Sequence, residues 1–322
     1  MTNGPPRNCF VAGHRGLVGS AIVRRLNACG YSAPIVRGRE EVDLLDQRSV
    51  RDFFEKERPD VVFFAAAKVG GINANNTCRW DFIYENLVIE TNVLGAALAT
   101  GVDRLVFFGS SCIYPRLAPQ PISEEHLLTG LLEPTNEPYA IAKIAGVKLV
   151  EAANAQHGCQ WVSLMPTNLY GENDNFDLQG SHVLPALIRK FHEAREARES
   201  GQDARVRLWG HGTARREFLH VDDAADAAIT LMESGATGLF NVGSGGDLTI
   251  RELAGLVASI VGYDGPVEWD SSKPDGTPRK LLDSSKIRAT GWEPRIPLDE
   301  GLRSTYAWYR SAHETRAPGL VG

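Results

Sequence analysis

A glycine-rich turn between an apolar run and an amphipathic segment is the feature that most restricts how this chain can fold. Residues 8–12 form a short apolar run that leads directly into Gly13-His-Arg-Gly16-Leu-Val-Gly19, and residues 20–29 have the pattern of a helix. Glycine is needed in such a turn because a Cβ atom would block the backbone turn and the approach of a pyrophosphate to the helix N-terminus. The spacing differs by one residue from Gly-x-Gly-x-x-Gly, and an ordinary tight turn is the alternative. The position between strand and helix favours a dinucleotide site. The turn residues expected to contact the dinucleotide are Gly13, Arg15, Gly16, Leu17, Val18 and Gly19.

Further apolar runs alternate with helical patterns along the first half of the chain. The predicted strands are 8–12, 34–37, 60–66, 104–109 and 161–166, and the predicted helices between them are 47–58, 81–100 and 139–156. Strands that are apolar throughout and alternate with helices form a parallel sheet covered on both faces. The sequence therefore predicts an α/β fold with a Rossmann-type, doubly wound parallel sheet.

The regular alternation ends after residue 166. A loop rich in Asn, Asp and Gly at 168–180 precedes predicted helices at 184–199, 222–234, 250–261 and 298–311, a strand at 205–209, and a Pro/Gly-rich segment at 273–280. We expect residues 1–167 to form an NADP-binding domain, with some later segments crossing back into it. Residues 168–315 are expected to form a smaller, mostly C-terminal α/β substrate domain, and residues 316–322 a disordered tail.

Composition excludes several other classes of protein. The chain has 322 residues, with 34 Lys and Arg against 40 Asp and Glu, so its net charge is −6, and nucleic acid is not an expected partner. Five scattered cysteines without a Cys-x-x-Cys pair argue against a disulfide framework and against a thiolate metal site. The longest apolar runs are far shorter than the roughly 20 residues that span a bilayer. We therefore expect a cytoplasmic protein without a metal or a membrane partner.

The residues about 20 positions beyond the glycine turn bear on the choice between NAD and NADP. An acidic residue there would accept the ribose 2′-hydroxyl of NAD, but this chain has Val36-Arg37-Gly38-Arg39. The planar guanidinium of arginine is suited to a 2′-phosphate. Arg39, together with Arg15, therefore favours NADP. The alternative is that both arginines are solvated surface charges. Three acidic residues, Glu40, Glu41 and Asp43, lie close by in the sequence.

A tyrosine and a lysine four residues apart, Tyr139-Ala-Ile-Ala-Lys143, lie in a predicted helix, so both side chains face the same direction. An adjacent ammonium favours the phenolate of a tyrosine, which makes the hydroxyl usable for proton transfer near neutral pH. Ser110 follows the fourth predicted strand, at the sheet edge where ligands of parallel sheets bind. Its hydroxyl can hold a carbonyl oxygen between itself and Tyr139. A buried tyrosine with a solvated lysine, and a small-residue turn, are the structural alternatives.

The glycine turn, the Ser-x-x-x-Tyr and the Tyr-x-x-x-Lys together resemble the extended short-chain dehydrogenase/reductases. The resemblance extends from about residue 7 to about residue 311 and includes Gly-Ser-Ser-Cys-Ile-Tyr-Pro, Pro-Thr-Asn-Leu-Tyr-Gly, Arg-Glu-Phe-Leu-His-Val-Asp-Asp and Lys-Pro-Asp-Gly-Thr-Pro-Arg-Lys. These motifs are most similar to those of the family members that act on GDP-4-keto-6-deoxy-D-mannose. The resemblance implies epimerisation at C3 and C5 followed by NADPH-dependent reduction of the C4 ketone, giving GDP-L-fucose.

The resemblance also implies roles for individual residues. Cys112 and His182 would exchange the protons at C3 and C5, because a thiol and an imidazole both titrate near neutral pH. Tyr139 would protonate the C4 oxygen, with Ser110 and Lys143 assisting. Further cofactor contacts are implied for Ser110, Lys143, Pro166, Asn168, Leu169 and His182. Substrate contacts are implied for Lys190, Trp209, Arg216, Asp275 and Lys280. Lys190 replaces an arginine of the family, which keeps the charge but loses the bidentate guanidinium.

Two other readings remain open from the sequence. A 4-epimerase or 4,6-dehydratase that recycles bound NAD has a similar fold, but such dehydratases place an Asp-Glu pair where this chain has Ser111-Cys112. A cofactor-sensing regulator is the non-enzymatic alternative, although it would usually lack part of the Ser, Tyr and Lys set. Family members commonly form homodimers through helices that correspond to 81–100 and 139–156, which predicts a homodimer.

Overall fold

The computed structural model of the protein describes residues 8–273 and 276–314. The tail predicted at 316–322 lies outside the described residues. The helices are α1 (Leu17–Ala28), α2 (Gln47–Glu57), α3 (Ile72–Thr77), α4 (Arg79–Thr100), α5 (Glu137–His157), α6 (Val183–Glu199), α7 (Val221–Ser234), α8 (Ile250–Val261), α9 (Ser285–Arg288) and α10 (Leu298–Glu314). The strands are β1 (Cys9–Ala12), β2 (Val61–Phe64), β3 (Arg104–Phe108), β4 (Gln160–Pro166), β5 (Asn168–Tyr170), β6 (Val206–Trp209), β7 (Arg215–His220), β8 (Gly238–Val242), β9 (Asp247–Thr249), β10 (Val267–Asp270) and β11 (Arg279–Lys280).

A parallel sheet of five strands, in the order β1-β2-β3-β4-β8, forms the centre of the larger lobe. Every strand pair in it is parallel, with Cys9 opposite Val61 and Val162 opposite Gly238. Parallel strands need crossover connections, and the intervening helices cover both faces of the sheet. This arrangement confirms the predicted fold class. It also brings the carboxyl ends of the strands to one edge, where the glycine turn and the segment after β3 meet.

Alternation along each strand divides the core between the two faces. Phe10 packs in a cluster with Phe54, Phe107 and Trp161, beneath α2, α4 and α5. The next residue, Val11, faces the opposite cluster, beneath α1 and α7. Full burial of side chains of this size stabilises a fold by roughly 1.5–3 kcal/mol each. The sheet is therefore a rigid support for the loops at its edge.

The smaller lobe has its own core around Phe191, Leu208, Val257 and Tyr306. Here β10 pairs with β6, and β7 pairs in parallel with β5 and β11 and in antiparallel fashion with β9. In sequence, β8 follows much of this lobe, yet it pairs with β4 of the central sheet. The domain boundary near residue 167 stays a prediction.

Some predicted elements differ from the structure. The expected strand at 34–37 contributes only one bridge to the central sheet, between Ile35 and Phe10, in which the Ile35 N–H donates to the Cys9 carbonyl and the Ile35 carbonyl accepts from the Val11 N–H. The strands β7 and β8 were not predicted. Charged residues interrupt the apolar pattern of β7, and the buried polar Asn241 interrupts that of β8, where its amide donates to the carbonyl of Ile122.

Candidate active site

The glycine turn forms a cradle whose backbone leaves no space for side chains. Gly13 has φ +87°, and a Cβ there would lie 2.9 Å from the backbone of Ala66. A Cβ on Gly19 would lie 2.2 Å from the carbonyl oxygen of Gly13. No side chain caps the first turn of α1, so its N–H groups can meet a ligand. A pyrophosphate has the charge and size that such a helix terminus binds.

A cavity of about 880 Å³ extends from this cradle along the carboxyl edge of the sheet. Its volume matches that of sites for extended small molecules. The wall contains every residue that the sequence analysis assigned to the cofactor: Gly13, Arg15, Gly16, Leu17, Val18, Gly19, Arg39, Ser110, Lys143, Pro166, Asn168, Leu169 and His182. Tyr139 lies in the same wall. The structure thus brings these residues together; their individual roles stay predictions.

Three arginines line the cavity, each with a carboxylate partner, and two of them are exposed. Arg37 Nη2 lies 2.8 Å from Glu57 Oε1, so its guanidinium is occupied. Arg15 lies 3.0 Å from Glu40, and Arg39 lies 3.6 Å from Asp43. Water screens these exposed pairs, so a doubly charged 2′-phosphate can compete with the carboxylates for Arg15 and Arg39.

Tyr139 and Ser110 occupy the part of the cavity beneath the end of β3. Ser110 Oγ accepts from the Cys112 backbone N–H at 3.4 Å and so caps the short turn Ser111–Ile113. Burial raises the pKa of Tyr139 well above its usual value, the charges of Cys112 and Glu90 raise it further, and a hydrogen bond with Ser110 opposes them. The phenol therefore holds its proton near neutral pH and can donate it.

Lys143 is fully buried one helical turn beyond Tyr139. Its Nζ donates to the Phe108 carbonyl at 3.1 Å, lies 3.1 Å from Glu90 Oε1, and lies 6.0 Å from the centre of the Tyr139 ring. The sequence analysis missed Glu90. The signal that could have identified it is a charged residue in the buried stripe of α4. This stripe is formed by Phe82, Asn86, Glu90, Val93 and Ala97.

Cys112 and His182 come from different elements, the short turn after β3 and the start of α6. Burial raises the pKa of the Cys112 thiol, and the charge of Lys280, the hydroxyl of Ser110 and the charge of Lys143 oppose it. His182 is the N-cap residue of α6; it is accessible to water in the cavity but otherwise enclosed by protein, and this enclosure lowers its pKa. Near neutral pH the two groups together hold one exchangeable proton. Cys112 is close enough to Tyr139 for its charge to affect the pKa of the phenol, and His182 lies in the wall of the same cavity as Tyr139.

The smaller lobe contributes cations and an exposed indole. Lys190 on α6 and Trp209 at the end of β6 line a second cavity of about 500 Å³. Arg216 and Lys280 are partners across the β7–β11 ladder, and burial lowers the pKa of both. The charge of Glu133, a second residue that the sequence analysis missed, counteracts this effect at both cations. Asp275, also predicted to contact substrate, lies outside the described residues.

Within residues 8–273 and 276–314, no helix is long and apolar enough to cross a membrane. The same described ranges contain no group of three or more His, Cys, Asp or Glu side chains that could hold a metal ion.

A parallel sheet with a glycine cradle, next to a serine, a tyrosine and a lysine, defines a nucleotide-dependent epimerase or reductase. The profile of the NAD dependent epimerase/dehydratase family matches residues 9–243, and the chain belongs to this family. Its curated relatives include proteins named GDP-L-fucose synthase, which confirms the more specific resemblance of the motifs.

Two relatives and one solved structure illustrate the similarity. Probable GDP-L-fucose synthase 1 of Oryza sativa subsp. japonica is 59% identical over 303 residues, covering 93% of this chain and 91% of the relative. GDP-L-fucose synthase of Escherichia coli (strain K12) is 55% identical over 310 residues, covering 93% and 95%. The crystal structure of a GDP-L-fucose synthetase from Naegleria fowleri bound to NADP has a TM-score of 0.87 at 26% identity, covering 98% of this chain and 97% of that one.

Proposed function

We propose that the protein is an NADPH-dependent GDP-L-fucose synthase. It epimerises GDP-4-keto-6-deoxy-D-mannose at C3 and C5 and then reduces the C4 ketone, which gives GDP-L-fucose. The observation that carries this proposal is that Ser110, Tyr139, Lys143 and His182 line the cavity that contains the glycine cradle, with Cys112 close enough to Tyr139 for its charge to raise the pKa of the phenol.

The cavity fits NADP(H). The cradle at Gly13 and Gly19 accepts the pyrophosphate because both residues pack against backbone atoms that leave no space for a Cβ, which keeps the turn in the shape that exposes the first N–H groups of α1. Arg15 and Arg39 hold the 2′-phosphate, and Pro166, Asn168 and Leu169 bound the opposite end. When bound, NADPH supplies a hydride to C4 of the sugar. Equal use of NADH would contradict the assignment of NADP.

Reduction needs a proton donor at the C4 oxygen. Tyr139 holds its proton near neutral pH and donates it to the developing alkoxide, and Ser110 donates a hydrogen bond to the same oxygen. Lys143, fixed at the Phe108 carbonyl, supplies positive charge beneath the tyrosine. The chain's own groups therefore complete the reduction of the carbonyl.

Epimerisation needs one group that removes a proton and another that returns one on the opposite face. The C4 ketone acidifies the hydrogens at C3 and C5. Burial favours the protonated thiol of Cys112 and the neutral imidazole of His182, so the two residues together offer a proton donor and a proton acceptor. Ser110 and Tyr139 stabilise the enolate oxygen during this step, because it is the same C4 oxygen.

The GDP group binds in the smaller lobe, which gives an acidic protein a local excess of positive charge. Lys190 and Trp209 face the second cavity, and Arg216 and Lys280 lie nearer to Cys112. The diphosphate of GDP carries the charge that these cations require. Asp275 belongs to the same proposed substrate site.

Two finer statements belong to this proposal. The protein forms a homodimer through α4 and α5, which expose the apolar side chains of Trp80, Tyr84, Ile141 and Leu149. It works in the cytoplasm, where thiols stay reduced, in agreement with five cysteines that form no disulfide in the described part of the chain. A light-scattering mass equal to one chain would refute the dimer.

One incubation tests the reaction itself. GDP-4-keto-6-deoxy-D-mannose and NADPH are added to the protein in deuterated water. NMR then identifies the product and shows which of its carbons carry deuterium. We expect GDP-L-fucose with deuterium at C3 and C5 and one NADPH consumed per product. A 4-epimerase or 4,6-dehydratase that recycles NAD would consume no NADPH, and a regulator would give no product.

A further inference from the structure

The ammonium of Lys143 has a carboxylate partner that the proposed reaction does not yet use. Lys143 Nζ lies 3.1 Å from Glu90 Oε1, and their side chains are only 2% and 1% exposed. Glu90 comes from α4 and Lys143 from α5, so packing of these helices creates the pair. Burial raises the pKa of Glu90, and the charge and hydrogen bond of Lys143 oppose this effect, so the ammonium favours the ionised carboxylate.

The surrounding packing leaves a space for this carboxylate. Gly146 lies one turn beyond Lys143, and a Cβ there would lie 2.8 Å from Glu90 Oε2 and 2.3 Å from Phe107 Cζ. Any side chain at residue 146 would displace the carboxylate or the ring. The position of Glu90 therefore depends on a glycine in the middle of α5, where glycine otherwise destabilises a helix.

The pair controls the charge beneath Tyr139. Nζ lies 6.0 Å from the centre of the phenol ring, and an ammonium without a counter-charge at this distance would favour the phenolate. The ionisable groups that face Tyr139 are Cys112, from the turn after β3, and Glu90, from α4, and a negative charge on either one favours the neutral phenol. A phenolate cannot protonate an alkoxide.

We propose that Glu90 is a positioning residue for the reduction: its carboxylate holds the Lys143 ammonium at the Phe108 carbonyl and keeps Tyr139 a neutral proton donor. The inference rests on the proposed reductase function. It assigns opposite tasks to the two members of the pair. Lys143 supplies positive charge near the reacting oxygen, and Glu90 limits the effect of that charge on the tyrosine before hydride arrives.

The test is the pH dependence of hydride transfer in Glu90→Gln, Glu90→Asp and the wild-type enzyme. NADPH consumption is followed in single turnovers with GDP-4-keto-6-deoxy-D-mannose, and NADPH deuterated at its reactive carbon shows that hydride transfer is being measured. Because Tyr139 must be protonated, the rate falls as pH rises through its pKa. We expect a constant wild-type rate to at least about pH 8.5, the range in which the preceding proton exchange is also expected to stay constant. The fall should move to lower pH by about one unit or more in Glu90→Gln.

Rescue and a matched control separate positioning from stability. Glu90→Asp keeps the charge and should keep the wild-type profile within about 0.3 pH unit. Asp223→Asn removes another buried carboxylate, one that accepts from the backbone N–H groups of Arg295 and Ile296 in a distant part of the fold. It should lower the melting temperature without moving the profile.

Three outcomes would overturn the inference about Glu90. They are a wild-type profile in Glu90→Gln, a shift in Asp223→Asn equal to that in Glu90→Gln, and a wild-type rate that already falls near neutral pH. The last result needs no variant, so it decides the question even if Glu90→Gln does not fold. A wild-type protein that consumes no NADPH with this substrate would instead refute the proposed function.

Discussion

Gly19 is the position where one added methyl group tests the cofactor cradle most directly. In Gly19→Ala, the new Cβ would lie 2.2 Å from the carbonyl oxygen and 2.6 Å from the carbonyl carbon of Gly13. Ordinary contact begins near 3.4 Å, so the turn must open by roughly 1 Å. The neighbours are backbone atoms, so no side chain can rotate away. The turn that would receive the pyrophosphate is therefore distorted.

The expected loss of NADPH affinity in Gly19→Ala follows from the cost of fitting this methyl group. Forcing an extra methyl group into well-packed surroundings costs about 1–3 kcal/mol, and here the cost opposes the geometry that binds the pyrophosphate. The Kd for NADPH should therefore rise about 5- to 150-fold. A fluorescence titration with NADPH measures it. Gly255→Ala in α8 is the control, because no atom lies within 4 Å of its Cβ. Wild-type affinity in Gly19→Ala would refute the assignment of this turn to the cofactor.

Four further experiments address the chemistry and the support of the site. Cys112→Ser should abolish deuterium entry at C3 and C5, measured by NMR. The Kd for NADPH should stay within about twofold of the wild-type value, because the thiol lies outside the cofactor cradle. Product formation at the wild-type rate would refute the proposed role of Cys112. Deuterium entry should stay constant between about pH 6.5 and about pH 8.5 and decrease only outside this range, because burial lowers the pKa of His182 and raises that of Cys112 from their usual values; a rate that already changes within this range would contradict this pair. Ser110→Ala should slow both deuterium entry and hydride transfer about 100-fold, because the same oxygen accepts its hydrogen bond in both steps; an effect on one step alone would contradict a shared oxygen site. For Asp247, burial opposes ionisation, but hydrogen bonds from Arg279 and Arg215 lower the pKa, so its contribution to stability is present above about pH 3.9 and lost as pH falls further. Asp247→Asn should therefore unfold about 1–2 kcal/mol more easily near neutral pH, a small value because both arginines are partly exposed, and the difference measured by denaturant titration should disappear in acid.

The parts of the fold that depend on local sequence were predictable. The glycine turn, the spacing of Tyr139 and Lys143 in one helix, and the apolar strands β2, β3 and β4 each follow from a pattern within about twenty residues. These elements define the cofactor side of the site. They were sufficient to predict the sheet, the cradle and the placement of Tyr139 and Lys143 on one helix.

The parts that depend on tertiary pairing were not predictable. Glu90 and Lys143 are far apart in the chain, and only the packing of α4 against α5 brings them together. Arg216 and Lys280 become neighbours because β11 pairs with β7, although β11 contains only two residues. A polar residue in an apolar helix stripe was the one local signal, and it indicated Glu90 without identifying its partner.

Burial has the same effect on Cys112, Tyr139 and His182: it favours the protonation state that carries no charge. It raises the pKa of Cys112 and Tyr139 and lowers that of His182. The Lys143 ammonium is matched by Glu90. In the proposed reaction, negative charge develops on a single oxygen, first in the enolate and later in the alkoxide. In a poorly screened site, hydrogen bonds from Ser110 and Tyr139 act strongly on that oxygen. One neutral pocket can therefore serve both proton exchange and hydride transfer, with the substrate's diphosphate held apart by the cations of the smaller lobe.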